Sequence, residues 1–387
     1  MPLRIMHVVD TLALAGTEYG VMKTVNLLDP ARFTPWICCL GGSIPETRRL
    51  VRPDVRIVEL NRRGSGVDWA LPWRLAKILR GDRIQVIHSH NWATYAYAVS
   101  SARIAGIPVV IHGEHGRDTA EDSVSMRRRF LRRLLVSATD HFTAVSRSIR
   151  EHICRDWGVP ENRVTFIPNG VDLGRFGVGY PSAEIRGRLG VGTGEPLIGA
   201  VGEFRPVKDY MTLIHAFERV RRRVPAARLI VVGYDPDGWF ASRLSEEPLE
   251  DRRILDDVRF PGLRTDIPEI MSVLDVYVNC SLYEGMSNTI LEAMASRKPV
   301  VATAVGGTPD IVEEGGTAWL VPPEDPEALA DRILWLLEDP GEAQRMGARG
   351  RARVERLHGY AAMVESNASL YESVYANKVG LTGKPRR

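Results

Sequence analysis

Short runs of aliphatic and β-branched residues alternate with amphipathic helical stretches from the start of the chain, and this pattern confines it to parallel sheets built from βαβ units. Strands are predicted at residues 4–9, 36–40, 56–59, 86–88, 109–112 and 141–144. A break follows at Ile167-Pro168-Asn169-Gly170-Val171-Asp172, where Pro and Asn-Gly are turn formers. A second series is predicted at residues 197–201, 228–232, 258–260, 276–279, 300–302 and 318–321. At 387 residues the chain has room for two such α/β domains, each with its own core. The expected division is 1–172 and 173–359, with a helix over 360–377 crossing back to the first domain. Doubly wound sheets bind ligands outside the carboxyl ends of their strands, so two facing sheets are expected to place a ligand cleft between the domains.

Composition narrows the class. The content is 44% hydrophobic and 26% charged, as in ordinary globular proteins, and no apolar run approaches the roughly 20 residues that span a bilayer. The first apolar run carries Arg4 and His7 and closes at Asp10, so it lacks the core of a signal peptide, and the cytoplasm is the expected compartment. Four cysteines without a CxxC spacing exclude a structural zinc site and fit a reducing environment. Residues 1–175 carry 25 Lys and Arg against 17 Asp and Glu, whereas the remainder carries 26 against 31. A basic half suits nucleic acid, anionic lipid or a phosphorylated acceptor. Nothing in it reads as a recognition helix or aromatic platform, so nucleic acid ranks last.

The most informative segment runs from Ser281 to Ala295, with Glu284, Gly285, Met286, Ser287, Asn288 and Glu292 around the start of a predicted helix. Gly285 permits a tight turn, Ser287 or Asn288 can cap the helix, and the N–H groups of its first turn suit a phosphate. Glu284 precedes the turn and Glu292 lies about one turn inside the helix, so the two carboxylates can receive hydroxyls on opposite sides of one bound anion. The plainer reading of Glu292 is a carboxylate complementing a helix N-terminus. Arg205 and Lys208 follow the first strand of the second series and can supply positive charge to a diphosphate, though a solvated turn would look similar.

Together these segments resemble the retaining glycosyltransferases of family 4, over nearly the whole chain. The resemblance implies the GT-B fold and a nucleotide diphosphate sugar as donor, with no metal and no other cofactor. Glu284 and Glu292 match the E-x7-E motif, whose first Glu contacts the transferred sugar and whose second contacts the nucleotide ribose. Lys208 matches the residue that neutralises the diphosphate. The family's usual Arg is replaced by Glu203, and Arg205 is taken as its substitute. Ala15-Gly16-Thr17-Glu18 is similar to the loop that approaches the phosphates, His115 in His112-Gly-Glu-His-Gly-Arg-Asp118 to the active-site His, and Val305-Gly-Gly-Thr-Pro309 to a glycine loop before a helix. The combination looks especially like the sugar transferases of exosortase (PEP-CTERM) exopolysaccharide loci, implying a saccharide or lipid-linked acceptor.

Rival readings attach to other segments. Asp235-Pro-Asp237 has the spacing of a metal-binding D-x-D motif, but Pro-Asp-Gly is turn chemistry. His88, His90, His112, Glu114 and His115 suggest a metallohydrolase, against which no clear third ligand joins His88 and His90. A sugar-nucleotide 2-epimerase and a non-catalytic sugar-nucleotide binding subunit share the architecture. A helix over 124–136 would set Arg127, Arg128, Arg129, Arg132 and Arg133 against Phe130, Leu131 and Leu134, either to meet an anionic membrane or to pack Phe130 and Leu134 inward. Trp92, Tyr95 and Tyr97 suit an acceptor sugar or a core equally.

Overall fold

A computed structural model describes residues 1–13, 16–62, 66–116, 126–235 and 237–382. The chain forms two compact units, one of Met1–Gly170 with Tyr360–Arg387 and one of Val171–Gly359.

The first unit is built on seven parallel strands, β1 (Leu3–Val9), β2 (Phe33–Cys39), β3 (Arg56–Glu59), β4 (Val86–His90), β5 (Val109–Glu114), β6 (His141–Ala144) and β7 (Val164–Phe166), in the order β3-β2-β1-β4-β5-β6-β7. β7 was not expected; three residues are too few to show a period. Strands β4 and β5 each run two residues beyond their predicted ends. The extensions are polar, yet Ser89 pairs with His112 and His90 with Gly113 in continuous register, and every residue of both strands is buried.

The long last helix, Tyr360–Thr382, belongs to this unit. Its Met363, Val364, Ala368, Leu370 and Tyr371 share one core with Leu3, Ile5, Phe33, Val86, Val109 and Ile111. The helix runs beyond the expected 377, to Thr382, and Lys378 Nζ lies 2.5 Å from Asp140 Oδ1.

The second unit holds β8 (Leu197–Val201), β9 (Arg228–Val232), β10 (Val258–Arg259), β11 (Val276–Asn279), β12 (Val300–Thr303) and β13 (Trp319–Val321), parallel in the order β10-β9-β8-β11-β12-β13. Both sheets reverse their winding once, between β1 and β4 and between β8 and β11. Loops leave such a switch point in opposite directions and open a crevice at the strand ends. The backbones after β8 and β9 touch there, since a Cβ on Gly233 would come within 1.9 Å of the Gly202 carbonyl oxygen.

Tyr371 ties the last helix to the first sheet through both its ring and a hydrogen bond to His88. Tyr371→Ala should cost about 3–5 kcal/mol. Tyr371→Phe, which leaves His88 Nδ1 buried without its partner, should cost about 1–3 kcal/mol in denaturant unfolding.

Candidate active site

The β8–β11 switch point of the second unit gathers charge. Pro206–Lys208 forms a single 3-10 turn after β8, and Asp209, at φ +46°, caps the following helix by accepting from the Thr212 N–H. The Leu282 N–H donates to the Val207 carbonyl at 2.8 Å, stitching this turn to the loop after β11. Lys208 Nζ thereby reaches Glu284 Oε1 at 2.6 Å. The same oxygen accepts from Ser281 Oγ at 2.7 Å and from Asn279 Nδ2 at 3.1 Å. The carboxylate is nearly buried, at 10% side-chain exposure, and Lys208 retains 26%.

The glycine loop after β12 holds this carboxylate from behind. The Gly307 N–H donates to the Glu284 carbonyl at 2.9 Å, and a Cβ on Gly306, at φ +52°, would meet that carbonyl at 1.8 Å. Ser287 caps the helix Asn288–Ala295 by accepting from the Ile290 N–H and itself receives Asn279 Nδ2 at 3.3 Å. Met286 is buried, and Asn288 is the first helical residue. One turn on, half-buried Glu292 has its carboxyl pushed up to about 7 by burial, with Arg175 pulling weakly the other way.

Arg205 does not join this group. Its guanidinium is 63% exposed and paired with Glu203 at 2.8 Å, because the acid two residues away is within easy reach. Asp235 spends its carboxylate on the N–H groups of Phe240 and Ala241, at 3.3 and 3.0 Å, as a helix cap; Pro236 of that motif lies outside the described residues.

In the first unit, the β1–β4 switch point gathers imidazoles. His7 Nδ1 and His90 Nε2 are 3.0 Å apart, and His90 Nδ1 and His115 Nε2 2.9 Å apart. His88 bonds Tyr371 Oη and Thr143 Oγ1 at 2.9 and 3.2 Å. His112 bonds Ser89 and Glu114 at 2.8 Å each and stacks on Tyr95. Burial lowers His7 and His112 to about 3 and His115 to about 4, and holds His88 and His90 well below the usual range, so the rings are neutral near pH 7.

His7 is the third ligand that the sequence reading found missing, since His7, His88 and His90 offer nitrogens within 4.8 Å of one another. However, both His88 nitrogens are bonded elsewhere, and His7 and His90 bond each other, so the trio is organised by hydrogen bonds. The His7 ring was hidden because it interrupts an apolar run like any tolerated polar residue. Gly16 opens the helix Gly16–Leu27. Ala15, Arg117 and Asp118 of the quoted motifs lie outside the described residues.

The helix Met126–Ser137 does not pack Phe130 and Leu134 inward. Arg128 lies over Trp92 at 4.7 Å and Arg132 over Trp157 at 5.1 Å, whereas Phe130, Leu131 and Leu134 are exposed beside Arg129 and Arg133. Flat guanidinium groups cover the indole faces, and Phe130, Leu131 and Leu134 are left outside while Leu135 and Val136 are buried. The Arg127 side chain lies outside the description. Tyr95 is fully buried and the Tyr97 hydroxyl accepts from the Asp68 N–H, so both serve the fold.

Two doubly wound parallel sheets with polar groups collected at both switch points make the GT-B fold. A glycosyltransferase from Rickettsia africae ESF-5 superimposes with a TM-score of 0.85 over 97% of this chain and 99% of its own, at 19% identity. The family model described as Glycosyltransferase Family 4 matches residues 14–175, and that described as Glycosyl transferases group 1 matches residues 195–339. A GDP-mannose-dependent alpha-(1-6)-phosphatidylinositol monomannoside mannosyltransferase of Mycobacterium tuberculosis is 30% identical over 72% of this chain and 73% of its own. The UDP-Gal:alpha-D-GlcNAc-diphosphoundecaprenol alpha-1,3-galactosyltransferase of Escherichia coli is 24% identical over 79% of each chain. The chain belongs to glycosyltransferase family 4 and is an enzyme of that class.

The raised Glu292 carboxyl has a consequence for stability. Between its ordinary 4.5 and about 7 the folded chain binds the proton more tightly than the unfolded chain, so this group's contribution to stability falls as pH rises through that window. Full desolvation would correspond to roughly 3 kcal/mol, which solvent screening of a half-buried group reduces to about 1 kcal/mol. Glu292→Gln should remove that loss and raise stability at pH 8 relative to wild type, with no gain at pH 4.5, in urea unfolding at the two pH values.

Proposed function

We propose that this enzyme transfers a hexose from a nucleotide diphosphate sugar, with retention of anomeric configuration, to a lipid-linked or saccharide acceptor in bacterial exopolysaccharide or glycoconjugate synthesis. The observation that carries the reading is the Lys208–Glu284 pair, fixed by Asn279 and Ser281 beside a capped helix N-terminus at a switch point. The two relatives are named for UDP-Gal and GDP-mannose as donors and for a diphosphoundecaprenol-linked sugar and a phosphatidylinositol mannoside as acceptors, which supports the donor and acceptor classes.

In this reading Lys208 and the helix N–H groups neutralise the departing diphosphate, electrostatic stabilisation aimed at charge that develops in the transition state. The bond from the anomeric carbon to the β-phosphate oxygen breaks, and its electron pair leaves with the phosphate. The acceptor oxygen bonds the anomeric carbon on the same face, and its proton passes to the β-phosphate oxygen. Glu284 orients the sugar hydroxyls, His115 positions the sugar, Glu292 receives the ribose, and Gly16 approaches the phosphates. Arg205 would have to leave Glu203 to assist. The chemistry uses no metal. The narrower assignment to exosortase-associated loci rests on the motif combination alone.

The exposed Phe130, Leu131 and Leu134 beside Arg129 and Arg133 suit the anionic inner face of a membrane, where a lipid acceptor would lie. Among the described residues no helix is long and apolar enough to cross a bilayer.

A panel of nucleotide sugars, read by thermal stabilisation and by nucleotide release, tests the assignment. Lys208→Ala should lower kcat about 10²–10³-fold with little change in donor binding. Glu292→Ala should weaken donor binding about tenfold or more while sparing kcat, a loss comparable to one charge-assisted hydrogen bond. Nucleotide release with an isomerised sugar and no acceptor would establish an epimerase, and binding without turnover a non-catalytic subunit. Exchanging Arg129 and Arg133 for Gln should abolish salt-sensitive binding to vesicles containing anionic lipid; unchanged binding would reject the membrane contact.

A further inference from the structure

We propose that His90 and His7 are positioning residues that set the tautomer of His115, so that its ring offers an N–H at Nδ1 to an oxygen of the transferred sugar. The inference rests on the reading that His115 meets that sugar, and adds which atom does so and what determines it.

The three rings form a chain, His7 Nδ1 to His90 Nε2 and His90 Nδ1 to His115 Nε2, at 3.0 and 2.9 Å. Each ring is neutral near pH 7, held so by burial, and therefore carries one N–H. One hydrogen per bond leaves only two arrangements. In the first, His7 donates to His90, His90 donates to His115, and His115 is left with its hydrogen on Nδ1. In the second, every bond is reversed, and His115 Nδ1 is a bare lone pair.

The far end of the chain decides between them. His7 Nε2 is buried and has no hydrogen-bond partner among the described residues. The second arrangement would place an N–H there, an orphaned donor in the protein interior; the first places only a lone pair. Orphaned buried donors are rarer than under-used acceptors, so the first arrangement is favoured. His88 cannot redirect the chain, because its nitrogens are engaged by Tyr371 and Thr143. Among the described residues His115 Nδ1 has no hydrogen-bond partner, and the ring is half-buried rather than enclosed.

The backbone beneath His115 is held as tightly. Asn91 Oδ1 accepts from the His115 N–H at 3.1 Å, and the Asn91 N–H donates to the Gly113 carbonyl at 2.9 Å. Asn91 does this at φ +61°, ψ 160°, a region almost confined to glycine, and its Nδ2 also reaches Thr17 Oγ1 at 3.3 Å. Strain tolerated here keeps the His115 ring at the end of the chain.

The test is long-range 1H–15N correlation on the full-length protein labelled at histidine, with kinetics on His90→Leu, His90→Asn and His115→Ala. The wild type should show His115 protonated at Nδ1. His90→Leu, which removes the donor to His115 Nε2, should abolish that preference and lower kcat about tenfold while donor KM moves less than twofold. His90→Asn, which keeps an amide N–H near the place of Nδ1, should restore both. A wild-type His115 protonated at Nε2 overturns the proposal without any variant having to fold, and so does a folded His90→Leu with unchanged kcat. His115→Ala separates the two levels. If it abolishes turnover while the wild-type ring is protonated at Nε2, only the tautomer assignment falls; if it turns over normally, the role of His115 itself falls.

Discussion

Burying a carboxylate costs several kcal/mol unless hydrogen bonds and a counter-charge offset it, and Glu284 is where this chain meets that cost. Its partners come from separate parts of the second sheet: Asn279 from the end of β11, Ser281 from the loop beyond, and Lys208 from the turn after β8. Thr303 of β12 donates to the Ser281 carbonyl at 2.6 Å, and the glycine loop beyond it fits against the Glu284 backbone with no room for a side chain. The turn after β8 and the loop after β11 are thus joined through one charge, and the segment after β12 through the backbone beside it. A parallel sheet can bring them together only where its winding reverses, so the position of the site follows from topology.

The first unit meets the same geometric opportunity differently. Its switch point holds five imidazoles, and their protons are shed rather than paired, because burial removes the positive charge. Neutral rings joined by hydrogen bonds impose direction and little field, whereas Lys208 and Glu284 impose both. Strong local charge stands at one switch point and oriented neutral groups at the other.

The fold class was legible because aliphatic runs announce buried strands and their alternation with helices announces parallel sheets. Lys208 and Glu284 were legible as motif residues, though their direct contact was not, since they are 76 positions apart. Other features escaped for physical reasons. The polar ends of β4 and β5 look like loops in a sequence, and β7 is too short to have a period. His7 interrupts an apolar run without any neighbour to explain it, and the strain at Asn91 leaves no mark in composition. The orientation of the helix Met126–Ser137 stayed open between two readings because helical periodicity distinguishes two faces but not which is inside. That choice was made by Trp92 and Trp157, which take arginines as neighbours.

The last helix carries an implication for how the chain comes into being. The first sheet cannot cover Leu3, Ile5 and Phe33 until Met363, Val364 and Tyr371 arrive, and these are made only after the whole of the second unit. The unit of residues 171–359 is continuous and lies wholly upstream of them. The first unit is therefore completed only after the second has been synthesised, and until then its apolar surface stays open to other chains.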